Sequence, residues 1–574
     1  MRIDVTSNCL GVVMNRVWSR FWMSLIFFLP AFGYSSLTQA DVTFMAQGIT
    51  EEERAFLNHA NQGTRFMPYR WFINIETAEG ENLLGAKYLT KYKFIGDEKS
   101  STNPDGLPVG FTKDVDESGM EWAGFSCSAC HTAQIEYQGA NLRIDGGPAM
   151  HDPTSFIPAL FAQLLEIYLE DNRFDRFAEK VLGDETNEQA GAKLKEDVSG
   201  LLEKVGKSII ESAYNTEKVQ LLSHFAWGKP VIQPVQGGFG RLDALGTGGN
   251  VVLDPLTQKN NVIANAPVSY PHLWDTSNFD WVEYNGAIRQ PMARNVAEAL
   301  GVGASINLSD DLWKSSVKFD TIYKAESIYS KVVAPAWPED VLGKIDRMKA
   351  AKGKSLFKEN CASCHAVRWT DGSQDKFGKS YIKIPLFPLD QIGTDPLQAT
   401  NLNQHRVTIP ESAAKNLNIK AGQHSIGEAL EFITGKVIER YYDEQNLSIA
   451  EREEMNFYRE NSFRAPLAYR ARPLDGIWAT PPFLHNGSVP NMMELLSPYE
   501  ERSKVFYVGN REYEPVTMGF ISSKGVDLFK FDTKQEGNWN AGHEFSDDAI
   551  RKGVIGPKLT VKERQALIEY IKTL

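Results

Sequence analysis

The chain has 574 residues with a formal net charge of −12, and 42% of its residues are hydrophobic and 23% charged, so its length suggests several domains and its composition is that of an ordinary globular protein. The negative charge argues against nucleic acid or an anionic membrane surface as an electrostatic partner. It would suit a basic redox partner, although a solvated acidic surface is the commoner explanation of such a charge.

The first 40 residues have the pattern of a secretory signal peptide. Arg16 and Arg20 precede an apolar run over 21–32, and small and polar residues follow up to Ala40. A basic flank, a short apolar core and a small residue at the cleavage site are typical of this signal. The apolar run is short for a membrane span, and an uncleaved anchor is the alternative. We therefore expect a periplasmic or secreted protein that is cleaved near Ala40 and has no stable membrane insertion.

Helices and loops alternate along the rest of the chain. Thr50 is followed by three glutamates, which predicts the start of a helix. Apolar residues near helical spacing predict helices within 153–215. The glycine cluster 246–249 is predicted to lie in a loop, because glycine is common in turns and weakens a helix. A further helix is predicted over 339–359.

Two short segments, 127–131 and 361–365, share the pattern Cys-x-x-Cys-His. Two cysteines three positions apart on one turn can both form thioethers with one porphyrin, and the next residue, a histidine, then points at the iron. The pattern therefore predicts two covalently bound haem c groups. The residues predicted to hold them are Cys127, Cys130, His131, Cys361, Cys364 and His365.

A redox dithiol and a zinc site are the alternatives to haem attachment. A lone Cys-x-x-Cys motif can be a redox dithiol or half of a zinc site. Neither alternative requires a histidine directly after the second cysteine. Four of the five cysteines fall inside the two motifs, so none is left for a disulfide framework. The haem interpretation explains the whole pattern, and the zinc and dithiol interpretations explain part of it.

The motifs divide the chain. We predict a mainly α protein with two cytochrome c-like haem domains and a large loop- and helix-rich insertion between the haem motifs. The expected boundaries are a signal peptide at 1–40, an N-terminal haem domain at 41–150, an insertion with the distal pocket at 151–335 and a C-terminal cytochrome c-like haem domain at 336–574.

Trp274 and Trp281 lie in an aromatic stretch between the two haem motifs. Such residues could line a distal pocket or connect the haems electronically. Core packing is the commoner role of a single aromatic residue, so both interpretations stay open.

Residues 476–490 read Gly-Ile-Trp-Ala-Thr-Pro-Pro-Phe-Leu-His-Asn-Gly-Ser-Val-Pro. With this segment and the two cysteine motifs, the chain resembles the bacterial dihaem cytochrome c peroxidase superfamily. Residues 289–295, Arg-Gln-Pro-Met-Ala-Arg-Asn, and 542–545, Gly-His-Glu-Phe, are similar to its rubber-oxygenase-like branch. That branch also holds the bacterial dihaem fatty-acid dioxygenases, and the resemblance covers most of the chain after the signal.

The resemblance implies that the two haems have different tasks. At the C-terminal haem, His365 would be the proximal ligand and His543 the distal ligand of a six-coordinate iron that stores electrons. Met492 or Met493 is the alternative to His543, and a methionine ligand would raise the reduction potential.

At the N-terminal haem, the resemblance makes His131 the proximal ligand and assigns no distal ligand, which is consistent with an open site for oxygen. Trp274 and Trp281 are candidates for the bridge between the haems or for the wall of the catalytic pocket. A calcium ion between the domains is a further expectation.

Four functions remain to be distinguished. The first is a dioxygenase that adds O2 to an unsaturated long-chain fatty acid and releases a hydroperoxide. The second is the same chemistry on polyisoprene. The third is a hydrogen peroxide reductase, which would need a distal acid or base, and no acid stands out in the sequence. The fourth is an electron carrier in which both irons are closed. An apolar unsaturated substrate, O2 and a redox partner are the expected partners.

Overall fold

The computed structural model describes residues 42–205, 235–253, 256–548 and 550–574. The predicted signal peptide lies outside these ranges. The fold mixes helices with short strands. The helices are Glu51–Asn58, Tyr69–Phe72, Ala86–Tyr92, Pro153–Leu169, Asp171–Leu182, Glu188–Val205, Ala244–Leu253, Pro291–Gly301, Phe319–Tyr329, Glu339–Leu342, Arg347–Asn360, Ala362–His365, Leu389–Ile392, Leu397–Gln404, Glu411–Leu417, Ile426–Glu444, Ile449–Met455, Met492–Leu495 and Val561–Ile571.

The strands form small sheets. They are Val42–Phe44, Met67–Pro68, Phe111–Val115, Glu121–Phe125, Thr132–Tyr137, Ala140–Asp145, Arg241–Leu242, Val268–Ser269, Leu386–Pro388, Arg406–Ile409, Gly422–Ser425, Ala468–Arg470, Val505–Val508, Tyr513–Glu514, Gly519–Phe520, Phe529–Asp532, Glu544–Phe545 and Val554–Gly556.

The first cysteine motif lies between two three-stranded sheets. Strand Glu121–Phe125 is central in one sheet, between Met67–Pro68 and Phe111–Val115. Strand Thr132–Tyr137 belongs to the other, where it pairs with Ala140–Asp145. The motif forms the short 3-10 turn that joins these sheets. Because paired strands fix both ends of the turn, its position is set by the sheets.

The second cysteine motif follows a helix. Arg347–Asn360 ends at Cys361, and the short helix Ala362–His365 continues from it. Arg347–Asn360 packs against the last helix, Val561–Ile571, so closely that a Cβ atom on Gly353 would lie 1.9 Å from the main-chain oxygen of Ala566. Glycine is therefore required for this helix pair.

Three large buried apolar clusters form most of the core of the described residues, and a small fourth one surrounds Phe506 and Phe531. One joins aromatic residues of 66–111 to the helices of 153–205, and a second surrounds helices Pro291–Gly301 and Ile426–Glu444. The third joins the strands after the first cysteine motif to the last helix. The residues from Asp41 to Leu574 form one compact unit. The predicted boundaries at 150 and 335 stay a prediction.

Several predicted elements can be compared with the structure. The helix after Thr50 is confirmed, with a capping box between Thr50 and Glu53. The prediction of a loop at 246–249 is wrong, because these glycines belong to helix Ala244–Leu253. There a Cβ atom on Gly248 would lie 3.3 Å from the Cα atom of Gly301, so the glycines permit close helix contact rather than a turn. Within the described ranges, no helix is long and apolar enough to cross a membrane.

Candidate haem sites

Both cysteine motifs fold into a single turn with the same internal hydrogen bonds. In the first turn, the N–H groups of Cys130 and His131 donate to the carbonyl of Cys127, at 3.2 and 3.0 Å. In the second, those of Cys364 and His365 donate to the carbonyl of Cys361, at 3.1 and 2.9 Å. Residues three and four positions apart share one face of a turn, so each turn presents two thiols and one imidazole together.

Each motif histidine is oriented by a distant main-chain carbonyl. Nδ1 of His131 is 2.9 Å from the carbonyl oxygen of Pro271, and Nδ1 of His365 is 2.6 Å from that of Arg472. A carbonyl oxygen only accepts, so Nδ1 carries the proton in both rings and Nε2 keeps its lone pair. This arrangement is typical of histidines that bind a metal.

His543 faces His365 across a gap that would accommodate a metal. The ring centres are 6.2 Å apart and the rings are inclined by 66°. Two imidazoles that each bind one metal through a nitrogen at about 2 Å place their ring centres roughly 6 Å apart. The alternative ligand Met492 is instead only 3% exposed and packs in the third apolar cluster. The structure thus brings the predicted pair His365 and His543 together.

Two partly buried arginines point to an anionic group next to these histidines. Nε of Arg470 and Nη1 of Arg472 are buried without a hydrogen-bond partner. Burial lowers the pKa of Arg470 to about 9 and also lowers the pKa of Arg472. Neither side chain forms an ion pair with a carboxylate in the part of the chain that the structure describes. Unpaired buried cations are costly, and haem propionates are carboxylates that would compensate them.

Three of the four motif thiols are not activated for redox dithiol chemistry. Burial raises the pKa of Cys127, Cys130 and Cys361 to about 12, so a thiolate is disfavoured at each. Redox dithiol chemistry requires a thiolate. No group of three or more His, Cys, Asp or Glu side chains that could hold a metal ion occurs among the described residues. The residues of both turns therefore fit haem c, whereas a calcium ion stays a prediction.

Trp274 contacts both segments whose carbonyls orient the two motif histidines. Pro271, whose carbonyl holds His131, is followed by His272, and the ring of His272 stacks on Trp274 at 4.2 Å with an angle of 6°. Nε1–H of Trp274 donates to the carbonyl of Asp475 at 2.9 Å, three residues after Arg472, whose carbonyl holds His365. Stacked rings and short hydrogen bonds thus connect the two sites.

Trp281 occupies a different position. The guanidinium of Arg464 lies 3.6 Å from the centre of the Trp281 ring. The carbonyl of Trp281 accepts a hydrogen bond from Arg470 at 3.2 Å. The structure therefore places Trp281 next to a residue of the candidate propionate site and does not stack it on a motif histidine. Its catalytic role, like that of Trp274, stays a prediction.

The first turn adjoins an acid that sequence reasoning missed. Glu298 lies one helical turn after Arg294 and 3.6 Å from its Nε atom. Burial raises the pKa of Glu298 to about 7, Glu283 and Glu326 add to the shift, and Arg294 opposes it. Its side chain nevertheless keeps 45% of its surface accessible. The charge of Glu298 also raises the pKa of Cys127 and Cys130, so the carboxyl group lies near enough to the first turn to act on both thiols.

The positive charge of Arg294 is compensated by Glu326. It is 5% exposed, it forms an ion pair with Glu326, and it donates to Oδ1 of Asn295 at 2.9 Å. Glu326 also accepts from Ser277 at 2.8 Å. The resemblance includes the segment 289–295 and gives it no chemical role. The sequence signal that could have identified Glu298 is its spacing from Arg294, because residues four positions apart lie on the same face of a helix.

Comparison with known proteins agrees with this description. A family model described as RoxA-like, cytochrome c-like matches residues 468–507, which include Arg470 and Arg472. This matched segment points to a haem oxidoreductase family, and a cytochrome c-like domain implies haem c.

Two bacterial proteins are similar to this chain in sequence. The uncharacterized protein y4iJ of Sinorhizobium fredii (strain NBRC 101917 / NGR234) is 39% identical over 584 residues, which are 93% of each chain. The uncharacterized protein y4iM of the same strain is 25% identical over 321 residues, which are 53% of this chain and 63% of y4iM. The chain belongs to the family of y4iJ.

Proposed function

We propose that the protein is an exported dihaem c-type oxygenase that adds O2 to an unsaturated long-chain fatty acid and forms a hydroperoxide. One observation carries the proposal. His365 faces a second imidazole, that of His543, whereas no second imidazole packs against the ring of His131 within the described ranges. The charge of His131 acts on His151 and His272, and the rings of these two histidines are stacked on Tyr270 and Trp274. The proposal therefore takes the second site as closed and the first as open.

The residues of the chain would share the work as follows. Haem c held by Cys127, Cys130 and His131 would supply the iron centre at which O2 is activated. Overall, one C–H bond next to the double bond is replaced by C–O–O–H, so O2 and the fatty acid enter and only the hydroperoxide leaves. Pro271 fixes the proximal ring through its carbonyl. The ion pair of Arg294 and Glu326 keeps this surrounding close to electrically neutral.

Oxygen uptake by the purified haem-loaded protein with oleic acid tests the proposal. We expect O2 consumption matched by hydroperoxide formation, and loss of both in His131→Ala. The matched control is His59→Asn, which changes a histidine directly after the first helix that pairs with Asp97. No uptake with oleic acid would contradict the fatty-acid proposal. Uptake with polyisoprene instead would assign the second substrate.

Carbon monoxide binding to the fully reduced protein separates an oxygenase from an electron carrier. An open first site predicts that half of the haem binds the gas. No binding would mean that both irons are closed, and the electron carrier would then be favoured.

A hydrogen peroxide reductase is the second candidate, and Glu298 favours it. Such an enzyme needs an acid or base next to its open haem, and Glu298 with a pKa of about 7 lies near the first turn.

The second turn offers a place for electron entry. Residues 347–383 contain nine lysines and arginines against three acidic residues, and Trp369 is 58% exposed. An acidic rather than a basic redox partner would match this surface.

Hydrogen peroxide turnover with a reduced electron donor distinguishes this candidate. A peroxidase should consume peroxide and lose at least about tenfold of its rate in Glu298→Gln, because general acid–base catalysis contributes factors of about 100 or more. The fatty-acid dioxygenase should show no donor-dependent peroxide turnover.

A further inference from the structure

Arg502 holds the loop that carries His543. Its side chain is 2% exposed and lies in the interior. Nη1 donates to the carbonyls of Asn540 and Gly542, at 2.6 and 2.9 Å, and Nη2 donates to the carbonyl of His543 at 2.9 Å. Nη2 also donates to Leu495 at 3.2 Å. Three of the four acceptors therefore belong to the four residues that end at His543.

The loop adopts a backbone conformation that requires such support. His543 has a φ of 46°, in the left-handed region that residues with a Cβ atom rarely adopt. Gly542 has a φ of 77°, and a Cβ atom there would lie 2.3 Å from the main chain of Gly393. The N–H of His543 donates to the carbonyl of Ile392 at 3.0 Å. The ring of His543 thus reaches its place opposite His365 only while the backbone stays in this unusual form.

Glu544 fixes the other side of the same loop. It is 2% exposed, and its carboxylate accepts from the N–H groups of Gly542 and Tyr499, at 3.0 and 3.1 Å. It also forms an ion pair with Arg551. The charge of Glu544 therefore has its own partner, and Arg502 forms no ion pair within the described residues.

A buried guanidinium without a paired carboxylate is an expensive way to stabilise a fold. Hydrogen bonds to main-chain carbonyls offset only part of the cost of removing the charge from water. A planar donor fork does, however, reach several carbonyls at fixed angles, which a lysine cannot do. The arrangement is understandable if the position of the loop, and not stability alone, is what the guanidinium secures.

We propose that Arg502 is a positioning residue that holds His543 as the second axial ligand of the haem attached at Cys361 and Cys364. The inference rests on the ligand pair His365 and His543 and is independent of the substrate of the first site. Removal of Arg502 releases the loop from its left-handed form, so the iron loses its sixth ligand and becomes high-spin.

Electron paramagnetic resonance and the Soret spectrum of the oxidised full-length protein test the proposal. His543→Ala gives the reference spectrum in which the low-spin signal of the bis-histidine iron is lost. We expect Arg502→Met to lose the same signal and added imidazole to restore it, because imidazole replaces the missing ligand without the loop. Arg502→Lys, which keeps the charge and one donor group, is expected to show a mixture of high-spin and low-spin iron.

Arg564→Met is the matched control. Arg564 is 6% exposed, donates to the carbonyl of Leu559 and to Oγ of Ser497, and pairs with Glu501, so it is a buried arginine of the same region that does not touch the His543 loop. It should keep the low-spin signal. A folded Arg502→Met protein with an unchanged low-spin signal would overturn the proposal, and so would an unchanged signal in His543→Ala.

Where Arg502→Met does not accumulate as folded protein, Arg502→Lys decides: high-spin iron supports the proposal and an unchanged spectrum overturns it. Oxygen uptake with oleic acid on the wild-type protein is scored separately. Absence of uptake would contradict the dioxygenase while leaving the spin-state result for Arg502 intact.

Discussion

The two haem turns have the same sequence pattern and the same internal hydrogen bonds but different surroundings. The first turn is held between strands, and Ser128 and Ala129 at its centre are 3% and 6% exposed. The second turn follows a helix and exposes Ser363. The first adjoins the acid Glu298, whereas the second faces His543. Under the proposed function, the turn would provide attachment, and the residues around it would decide whether the iron is open or closed.

Replacement of the two proximal histidines should give the largest contrast. His131→Ala should lower oxygen uptake with oleic acid by more than about 100-fold, since loss of a ligand's outer partners alone costs about 10–100-fold. His365→Ala should abolish the low-spin bis-histidine signal and leave carbon monoxide binding at the first site. Oxygen uptake and carbon monoxide difference spectra measure both effects. Equal losses of uptake in the two variants would contradict the assigned division.

Each cysteine turn depends on one closely packed glycine, Gly110 for the first turn and Gly353 for the second. A Cβ atom on Gly110, which has a φ of 91°, would lie 2.2 Å from the Cα atom of Ala129 in the first turn, and one on Gly353 would meet Ala566 beneath the second. Overpacking costs about 1–3 kcal/mol, so Gly110→Ala should impair haem attachment at the first turn and Gly353→Ala at the second.

Mass spectrometry of the haem-bearing peptides, together with thermal unfolding, measures this contrast. Gly191→Ala is the control, because its Cβ atom would meet nothing within 4 Å and alanine favours the helix. Loss of haem from both turns in either variant would show that the supports are not separate.

Glu298 should give the region of the first turn a pH dependence of its own. Burial raises its pKa from the ordinary value of 4.5 to about 7. Between these values the unfolded chain has released the proton and the folded protein retains it, so the contribution of this carboxyl group to the free energy of unfolding falls as the pH rises from about 4.5 to about 7. Glu298→Gln should remove this decrease.

Chemical unfolding of the wild type and Glu298→Gln at pH 5 and pH 7.5 measures the difference. The control is Glu411→Gln, which changes an exposed glutamate at the start of another helix. The same pH slope in Glu298→Gln as in the wild type would contradict the assignment of the raised pKa to this carboxyl group.

Helix caps should give the smallest effects. Thr50 and Thr560 each form a capping box, the first on helix Glu51–Asn58 and the second on helix Val561–Ile571. Replacement of a capping threonine by alanine costs about 1 kcal/mol. Thr560→Ala should destabilise the helix pair before the second turn without changing the first haem. Denaturant unfolding followed at the Soret bands measures this destabilisation. A loss of haem from the first turn would contradict the prediction that the effect is confined to the second turn.

Part of the fold and site could be predicted from local patterns. The capping box at Thr50 and the two cysteine turns each depend on residues within five positions, so their geometry follows from short-range hydrogen bonds. The helix at 246–249 could not be predicted, because glycine usually opposes a helix and is used here for close contact with Gly301. Glu298 was missed because its pKa depends on burial by distant parts of the chain.

The predicted attachment chemistry follows from local sequence, because two cysteines and a histidine on one turn can hold a porphyrin wherever that turn lies. Which second ring faces a motif histidine depends on tertiary packing. His365 and His543 are far apart in the chain, and the carbonyls of Pro271 and Arg472 orient the two proximal rings from equally distant segments. Local spacing cannot specify such contacts, because they exist only after the separate apolar clusters have packed and brought these segments together.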